Sequence, residues 1–309
     1  MQHFLDFNQL SDSGIEALLK QVLEYSHQPA DPGHRQILDG RVITNLFYEA
    51  STRTRVSFEV AAHRLGAEVI NISAGGSSVE KGESLRDTLE TLVSIGVDAV
   101  VVRHPQTAVL NDLVVEKDIE IALINAGDGC GHHPSQALLD AATLITARGS
   151  LVGLKLVIAG DIRHSRVARS NIQLLSRLGV DDIRLVGPKQ LLPDECPQNV
   201  SLMTEDFDIA LADANAVMML RIQHERMGGL ELPDTDDYHR RWGLDKARLM
   251  LAHPDCVVLH PGPVNRGVEM SNAVADGSQS LIRSQVAMGV SARMAIFDML
   301  LASAGAGQR

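Results

Sequence analysis

Several short runs of this sequence carry residues whose types suit the gripping of small anions. The richest is Phe47-Tyr48-Glu49-Ala50-Ser51-Thr52-Arg53-Thr54-Arg55, which falls where an apolar run gives way to a helical pattern. The first turn of a helix offers unpaired N–H groups and the positive end of the macrodipole. Ser51, Thr52 and Thr54 add hydroxyl donors, and Arg53 adds a planar fork suited to phosphate oxygens. The dipole alone contributes about 0.3–2 kcal/mol, too little to hold a dianion stripped of water, so cationic partners are required. Taken by itself the run reads more readily as a capped surface helix with two solvated arginines, because N-caps are far commoner than anion sites.

Its companions change that balance. Val102-Arg103-His104-Pro105 closes an apolar run with a cation. The glycine-rich stretch Gly127-Asp128-Gly129-Cys130-Gly131-His132-His133-Pro134-Ser135-Gln136 delivers His133 to a helix start, with Pro134 at the first helical position. Gly160-Asp161-Ile162-Arg163-His164-Ser165-Arg166 is a second turn from strand to helix, again ending in arginine. Leu220-Arg221-Ile222-Gln223 and His260-Pro261-Gly262-Pro263 each follow a short apolar run. Singly these are weak signals; together they are not.

Something rigid must hold those loops. Residues 41–47, 69–72, 99–102 and 121–125 read as strands, with helices over 52–65, 84–95 and 107–117 between them. Ahead of them, Ser13-Gly14-Ile15-Glu16 reads as a capping box for a helix striped by Ile15, Leu18, Leu19, Val22 and Leu23. A helix over 134–147 leads to a second series: strands at 154–159, 183–186, 217–220 and 257–259, helices over 165–178 and 280–301. Alternating strand and helix predicts an α/β fold of two domains, each a mostly parallel sheet flanked by helices, with the active site in the cleft between them. The expected domains are 1–135 completed by the C-terminal helix 286–309, and 149–285, joined by a linking helix 134–148.

Composition agrees. The chain has 309 residues, 45% of them hydrophobic and only 3% aromatic, so two cores of Leu, Val, Ile, Ala and Met are expected. A net charge of −11 argues against nucleic acid or an anionic membrane as a partner. Cys130, Cys196 and Cys256 form no CxxC pair, which points to neither a zinc site nor a disulfide framework and to a reduced, cytoplasmic setting. No apolar run is long enough to span a membrane, and the first residues do not read as a signal peptide.

The ordered set of motifs resembles the transcarbamoylase family over nearly the whole chain. Ser51-Thr52-Arg53-Thr54-Arg55 is similar to that family's carbamoyl-phosphate loop, and His133-Pro134-Ser135-Gln136 to its His-Pro-x-Gln element. Members that use ornithine carry a Cys in a His-Cys-Leu-Pro element and a Ser-Met-Gly motif; here Pro261 follows His260, and Ser-Met-Gly is absent. Arg166, Arg221 and Gln223 occupy the positions that hold the two carboxylates of aspartate in the aspartate-type members. Guanidinium forks suit a dicarboxylate and would repel a cationic acceptor. Two departures stand out: Ala50 replaces a common proline, and Gly262 replaces the leucine of some members, which only a backbone role survives.

The resemblance implies transfer of the carbamoyl group of carbamoyl phosphate to the amino group of L-aspartate, giving N-carbamoyl-L-aspartate and phosphate, an early step of de novo pyrimidine biosynthesis. Carbamoyl phosphate would be held by Ser51, Thr52, Arg53, Thr54, Arg103, His133, Gln136, Pro261 and Gly262. Ser77 and Lys81 would arrive from a neighbouring subunit of a homo-trimer with shared active sites, with Lys81 also reaching the aspartate. Arg53, Thr54, Arg103 and His133 would carry the chemistry, with His133 open to either charge state. No metal or organic cofactor is implied, because carbamoyl phosphate is already activated. The 260–269 stretch resembles bacterial members that assemble with dihydroorotase. Residues 228–244, rich in Asp, Pro and Arg, read equally as a moving loop or as an ordinary surface excursion.

Overall fold

The computed structural model describes residues 2–28, 31–73, 82–115, 119–222 and 234–302. Contact density divides the chain into two units, Met1–Ala142 with Val286–Arg309, and Thr143–Gln285.

The first unit runs α1 (Asp12–His27), β1 (Val42–Phe47), α2 (Thr52–Leu65), β2 (Glu68–Ser73), α3 (Leu85–Ser94), β3 (Ala99–His104), α4 (Val109–Val115), β4 (Ala122–Asp128) and the start of α5 (Pro134–Arg148). Its sheet has the order β2-β1-β3-β4, and every pair is parallel. Strands β3 and β4 are buried on both faces: Val100, Val101 and Val102 of β3, and Leu123 and Ile124 of β4, are inaccessible to solvent. Continuous apolar runs of this kind are what a parallel sheet under helices demands. The outer strand β2 is half-buried at best, as an edge permits.

Helix α1 starts two residues earlier than the Ser13 capping box predicts. Ser11, extended at φ −69° and ψ 165°, accepts from the Gly14 N–H, so Ser13 is already helical. Either serine can cap. Tyr25, near the other end of the helix, joins Ile15, Leu18, Leu19 and Val22 on the buried face while Leu23 stays half-buried.

The second unit runs β5 (Lys155–Ala159), α6 (Arg166–Arg177), β6 (Asp182–Val186), β7 (Leu202–Thr204), α7 (Phe207–Leu211), β8 (Ala216–Met219), α8 (Thr235–Trp242), α9 (Lys246–Leu249), β9 (Val257–Leu259), α10 (Asn272–Ala275) and the start of α11 (Ile282–Leu301). The sheet order is β7-β6-β5-β8-β9, again parallel throughout. Its core gathers Val157, Val217, Met219, Val258, Tyr238 and Trp242.

Of the 228–244 segment, residues 228–233 lie outside the described residues. The rest is mainly α8, capped by Asp234 and pinned by Tyr238 and Trp242, whose i,i+4 spacing puts both on one buried face. That half is packed helix rather than loop. The latter part of α11 belongs to the first unit, where Phe297 meets Phe58 edge-on at 5.7 Å and Asp298 accepts from Tyr25 Oη at 2.6 Å.

Candidate active site

In an open parallel sheet, ligands bind outside the carboxyl ends of the strands where the strand order reverses. In the first unit the chain passes from β1 outward to β2, then returns to β3 on the other side of β1. The reversal lies between β1 and β3. The short loop after β1 leads into the Ser51–Arg55 run at the start of α2, and Arg103 sits in the end of β3, so both predicted anion-binding elements flank that point. Tyr48 N–H donates to the Arg103 carbonyl at 2.9 Å, which continues the pairing of the two strands to the edge of the site.

Ser51 is the N-cap of α2, extended at φ −158° and ψ 96°. Its Oγ accepts from Thr54 N–H at 3.4 Å and donates to Thr54 Oγ1 at 3.0 Å. Thr54 is buried, whereas Thr52 and Arg53 are exposed in the first turn. Arg103 is aimed by two neighbours: its Nη2 lies 3.1 Å from Glu49 Oε2, and its Nη1 donates to the Ala126 carbonyl at 3.2 Å. Next to it, burial pushes the His104 imidazole below its ordinary value, against weaker upward pulls from the Gln106 backbone and Asp128. Neutral at pH 7, His104 adds no second cation there.

His133 is buried, with Nδ1 3.5 Å from Ser135 Oγ. The glycine-rich approach to it is tied by Asp128, which is only 2% exposed. Asp128 Oδ1 accepts from His132 N–H at 2.6 Å and Asn125 Nδ2 at 3.1 Å, and Oδ2 accepts from Ala108 N–H at 2.7 Å. Gly129 needs its φ of +40° and its missing Cβ, because a side chain would stand 2.7 Å from the Thr107 nitrogen. Gln136 donates from Nε2 to Asp140 Oδ1 at 3.0 Å. A carboxylate only accepts, so the amide nitrogen is the end that faces Asp140 and the oxygen is the end turned away.

The second unit repeats the logic. Its sheet reverses between β5 and β8, flanked by the Gly160–Arg166 turn and by Leu220-Arg221. Gly160 sits at φ +122°, and a Cβ there would stand 2.7 Å from the Leu220 carbonyl oxygen, so only glycine lets these two strand ends meet. Asp161, fully buried, accepts from His164 N–H at 3.2 Å and lies 2.9 Å from His164 Nδ1, which fixes the turn. Ser165 caps α6 through Ala168 N–H, and Arg166 is its first residue, buried at 4% exposure. Arg221 is half-buried directly beyond β8. Pro261 and Gly262, both half-buried, follow β9.

Ser77, Lys81 and Gln223 lie outside the described residues. Among the described residues no group of three or more His, Cys, Asp or Glu is arranged to hold a metal ion, and no helix is long and apolar enough to cross a membrane. The acidic residues that aim the site, Glu49, Asp128, Asp140, Asp161 and Glu269, were not singled out by sequence. Four of them stand within five residues of a predicted ligand, and an acid beside a loop-borne base is the signal that finds them.

Comparison with known proteins gives the family. Residues 2–146 match the carbamoyl-P binding domain of aspartate/ornithine carbamoyltransferases, and residues 152–300 match the Asp/Orn binding domain of the same family. The aspartate carbamoyltransferase catalytic subunit of Clavibacter michiganensis is 49% identical over 100% of both chains, and that of Xanthomonas campestris is 48% identical over 92% of each. The aspartate transcarbamoylase of Trypanosoma cruzi, solved with carbamoyl aspartate and phosphate, superposes with a TM-score of 0.86 at 31% identity over 97% of this chain and 96% of that one. The chain is a member of the aspartate/ornithine carbamoyltransferase family.

Proposed function

We propose that this chain transfers the carbamoyl group of carbamoyl phosphate to the amino group of L-aspartate, releasing N-carbamoyl-L-aspartate and phosphate. The observation that carries the choice of acceptor is on the second unit. Arg166, the first residue of the helix after β5, and Arg221, just beyond β8, belong to the two elements that flank its sheet reversal, where a dicarboxylate finds guanidinium groups and a cationic amino acid finds repulsion. Pro261, where ornithine-using members carry cysteine, points the same way.

In this reading the phosphate is held by Ser51, Thr52, Arg53, Thr54 and Arg103. Thr54, Arg103 and His133 donate to the carbonyl oxygen as negative charge develops on it, and one such donor is worth about 3–4 kcal/mol in the transition state. Gln136 and the carbonyls of Pro261 and Gly262 accept from the carbamoyl NH2. Arg166, Arg221 and Gln223 hold aspartate so that its amine reaches the carbon. The new C–N bond forms, the C–O bond to phosphate breaks, and the amine proton has the departing phosphate as a nearby base. Positioning of two reactants in this way removes several kcal/mol from the barrier, roughly the range known for oriented reactions.

The resemblance further supports a homo-trimer in which Ser77 and Lys81 complete a neighbour's site, a higher assembly with dihydroorotase of the kind formed by members whose 260–269 stretch is similar, and a cytoplasmic role in pyrimidine biosynthesis. The test is turnover with carbamoyl phosphate and either aspartate or ornithine. Product from aspartate alone is expected; product from ornithine alone refutes the acceptor assignment. Sizing the purified chain tests the trimer, and a monomer at assay concentration refutes it.

A further inference from the structure

We propose that His260 and Glu269 are positioning residues that aim the Pro261 carbonyl at the carbamoyl NH2, a proposal that rests on the role given to Pro261 above. His260 is 1% exposed and uses both ring nitrogens inside its own loop. Nδ1 accepts from Gly262 N–H at 2.8 Å, so the ring proton resides on Nε2, which lies 3.1 Å from Glu269 Oε1. Glu269 is fully buried, and the same oxygen accepts from Asn265 N–H at 2.6 Å. The imidazole is thus held at one edge and holds the backbone at the other. The His260 N–H donates to Gln285 Oε1 at 2.9 Å, which anchors the start of the turn.

The consequence follows from the planarity of the peptide group. The N–H of Gly262 and the C=O of Pro261 belong to one trans peptide, so they point in opposite directions. A ring nitrogen that binds the N–H from the buried side therefore turns the carbonyl of Pro261 away from that side. Rotation of this peptide would exchange an acceptor for a donor at the substrate. With Gly262, at φ +71°, as one of its two residues, the peptide has little backbone restraint of its own against that rotation.

The test splits the two nitrogens. In His260→Asn the side-chain oxygen reaches the Gly262 N–H as an Asx turn does, and the link to Glu269 is lost. In His260→Gln the longer amide reaches Glu269, and the acceptor for Gly262 N–H is lost. Dissociation constants for carbamoyl phosphate and for inorganic phosphate are measured on the full chain, together with turnover and the thermal midpoint. Wild-type turnover with aspartate establishes the underlying reading separately; its absence overturns both. In H260Q the affinity for carbamoyl phosphate is expected to fall roughly three- to tenfold, the worth of one misdirected hydrogen bond, with phosphate affinity unchanged. H260N is expected to keep the wild-type ratio of the two affinities even if its thermal midpoint falls. Equal loss of both ligands in H260Q, or the same selective loss in H260N, overturns the proposal. Should H260Q not fold, Glu269→Leu is expected to show the selective loss and Glu269→Gln, which keeps an acceptor oxygen, to restore it; an unchanged ratio in Glu269→Leu is the contrary result.

Discussion

Replacing Asp128 by Asn exchanges one oxygen for an NH2 and should cost more than its size suggests. The carboxylate is 2% exposed and satisfies three donors, two on Oδ1 and one on Oδ2. An amide has one oxygen. Placed at the Oδ1 position, it keeps His132 N–H and Asn125 Nδ2, and its NH2 then confronts the N–H of Ala108. One charge-assisted bond is lost, the other two become neutral, and a buried donor is left facing a donor. Charge-assisted bonds contribute about 1.5–3 kcal/mol, and an orphaned buried donor costs about 1–3 kcal/mol, so a net loss of about 2–4 kcal/mol is expected. Ala108, whose φ of 62° is left-handed and costs alanine about 1–2 kcal/mol, is held by this bond, so relaxation there is the expected response and offsets part of the loss. Turning the amide over spares Ala108 and sacrifices Asn125 Nδ2 and the N–H of His132, the neighbour of His133. Urea unfolding at pH 7 measures the first effect, and kcat for carbamoyl transfer measures the second. Stability within about 0.5 kcal/mol of wild type together with unchanged kcat would refute the claim that this carboxylate ties the His133 loop.

Arg53→Ala is expected to reduce kcat/KM at least 10²-fold, about the effect of removing one transition-state donor, and to shift stability by less than about 0.5 kcal/mol, since Arg53 is exposed; near-normal turnover counts against the phosphate loop. Arg184 beside Asp182 holds that carboxyl below the usual carboxylate range, with help from Ser201. A depressed folded-state value gives stability that is present above the unfolded value and lost as pH falls through the folded one. Asp182→Asn should therefore be less stable than wild type by about 0.5–1 kcal/mol at pH 7, with the two converging below the carboxylate range in urea titrations. Burial pushes the Cys256 thiol up to about 12, whereas Cys196 is exposed. Alkylation at pH 8 followed by peptide mass spectrometry should label Cys196 and spare Cys256.

What could be read in advance was decided by where the chemistry sits on the pattern. The helix 52–65 and the strand 257–259 match the observed α2 and β9 in both bounds, because a serine cap, a terminal glycine and a short apolar run mark their ends. Strands β3 and β4 run past their predicted ends into Arg103-His104 and Gly127-Asp128. The polar residues there end the apolar pattern but not the ladder, and those extra residues are the ones that edge the site. Strand β7 escaped notice: three residues, each only half-buried, at the sheet margin carry no periodic signal. The cationic ligands were legible because arginines at strand ends are conspicuous. Their buried acidic partners were not, since a carboxylate that caps a turn and one that faces water look alike in a sequence.

The account rests on cations gathered at the ends of two parallel sheets to hold two anionic substrates. A crystal structure of the chain with N-(phosphonacetyl)-L-aspartic acid, which carries a phosphonate and both aspartate carboxylates in one molecule, tests this most directly. The account predicts the phosphonate on Ser51, Thr52, Arg53, Thr54 and Arg103, and the carboxylates on Arg166 and Arg221. A ligand bound elsewhere, or these arginines spread over surfaces that share no pocket even across subunits, would contradict it.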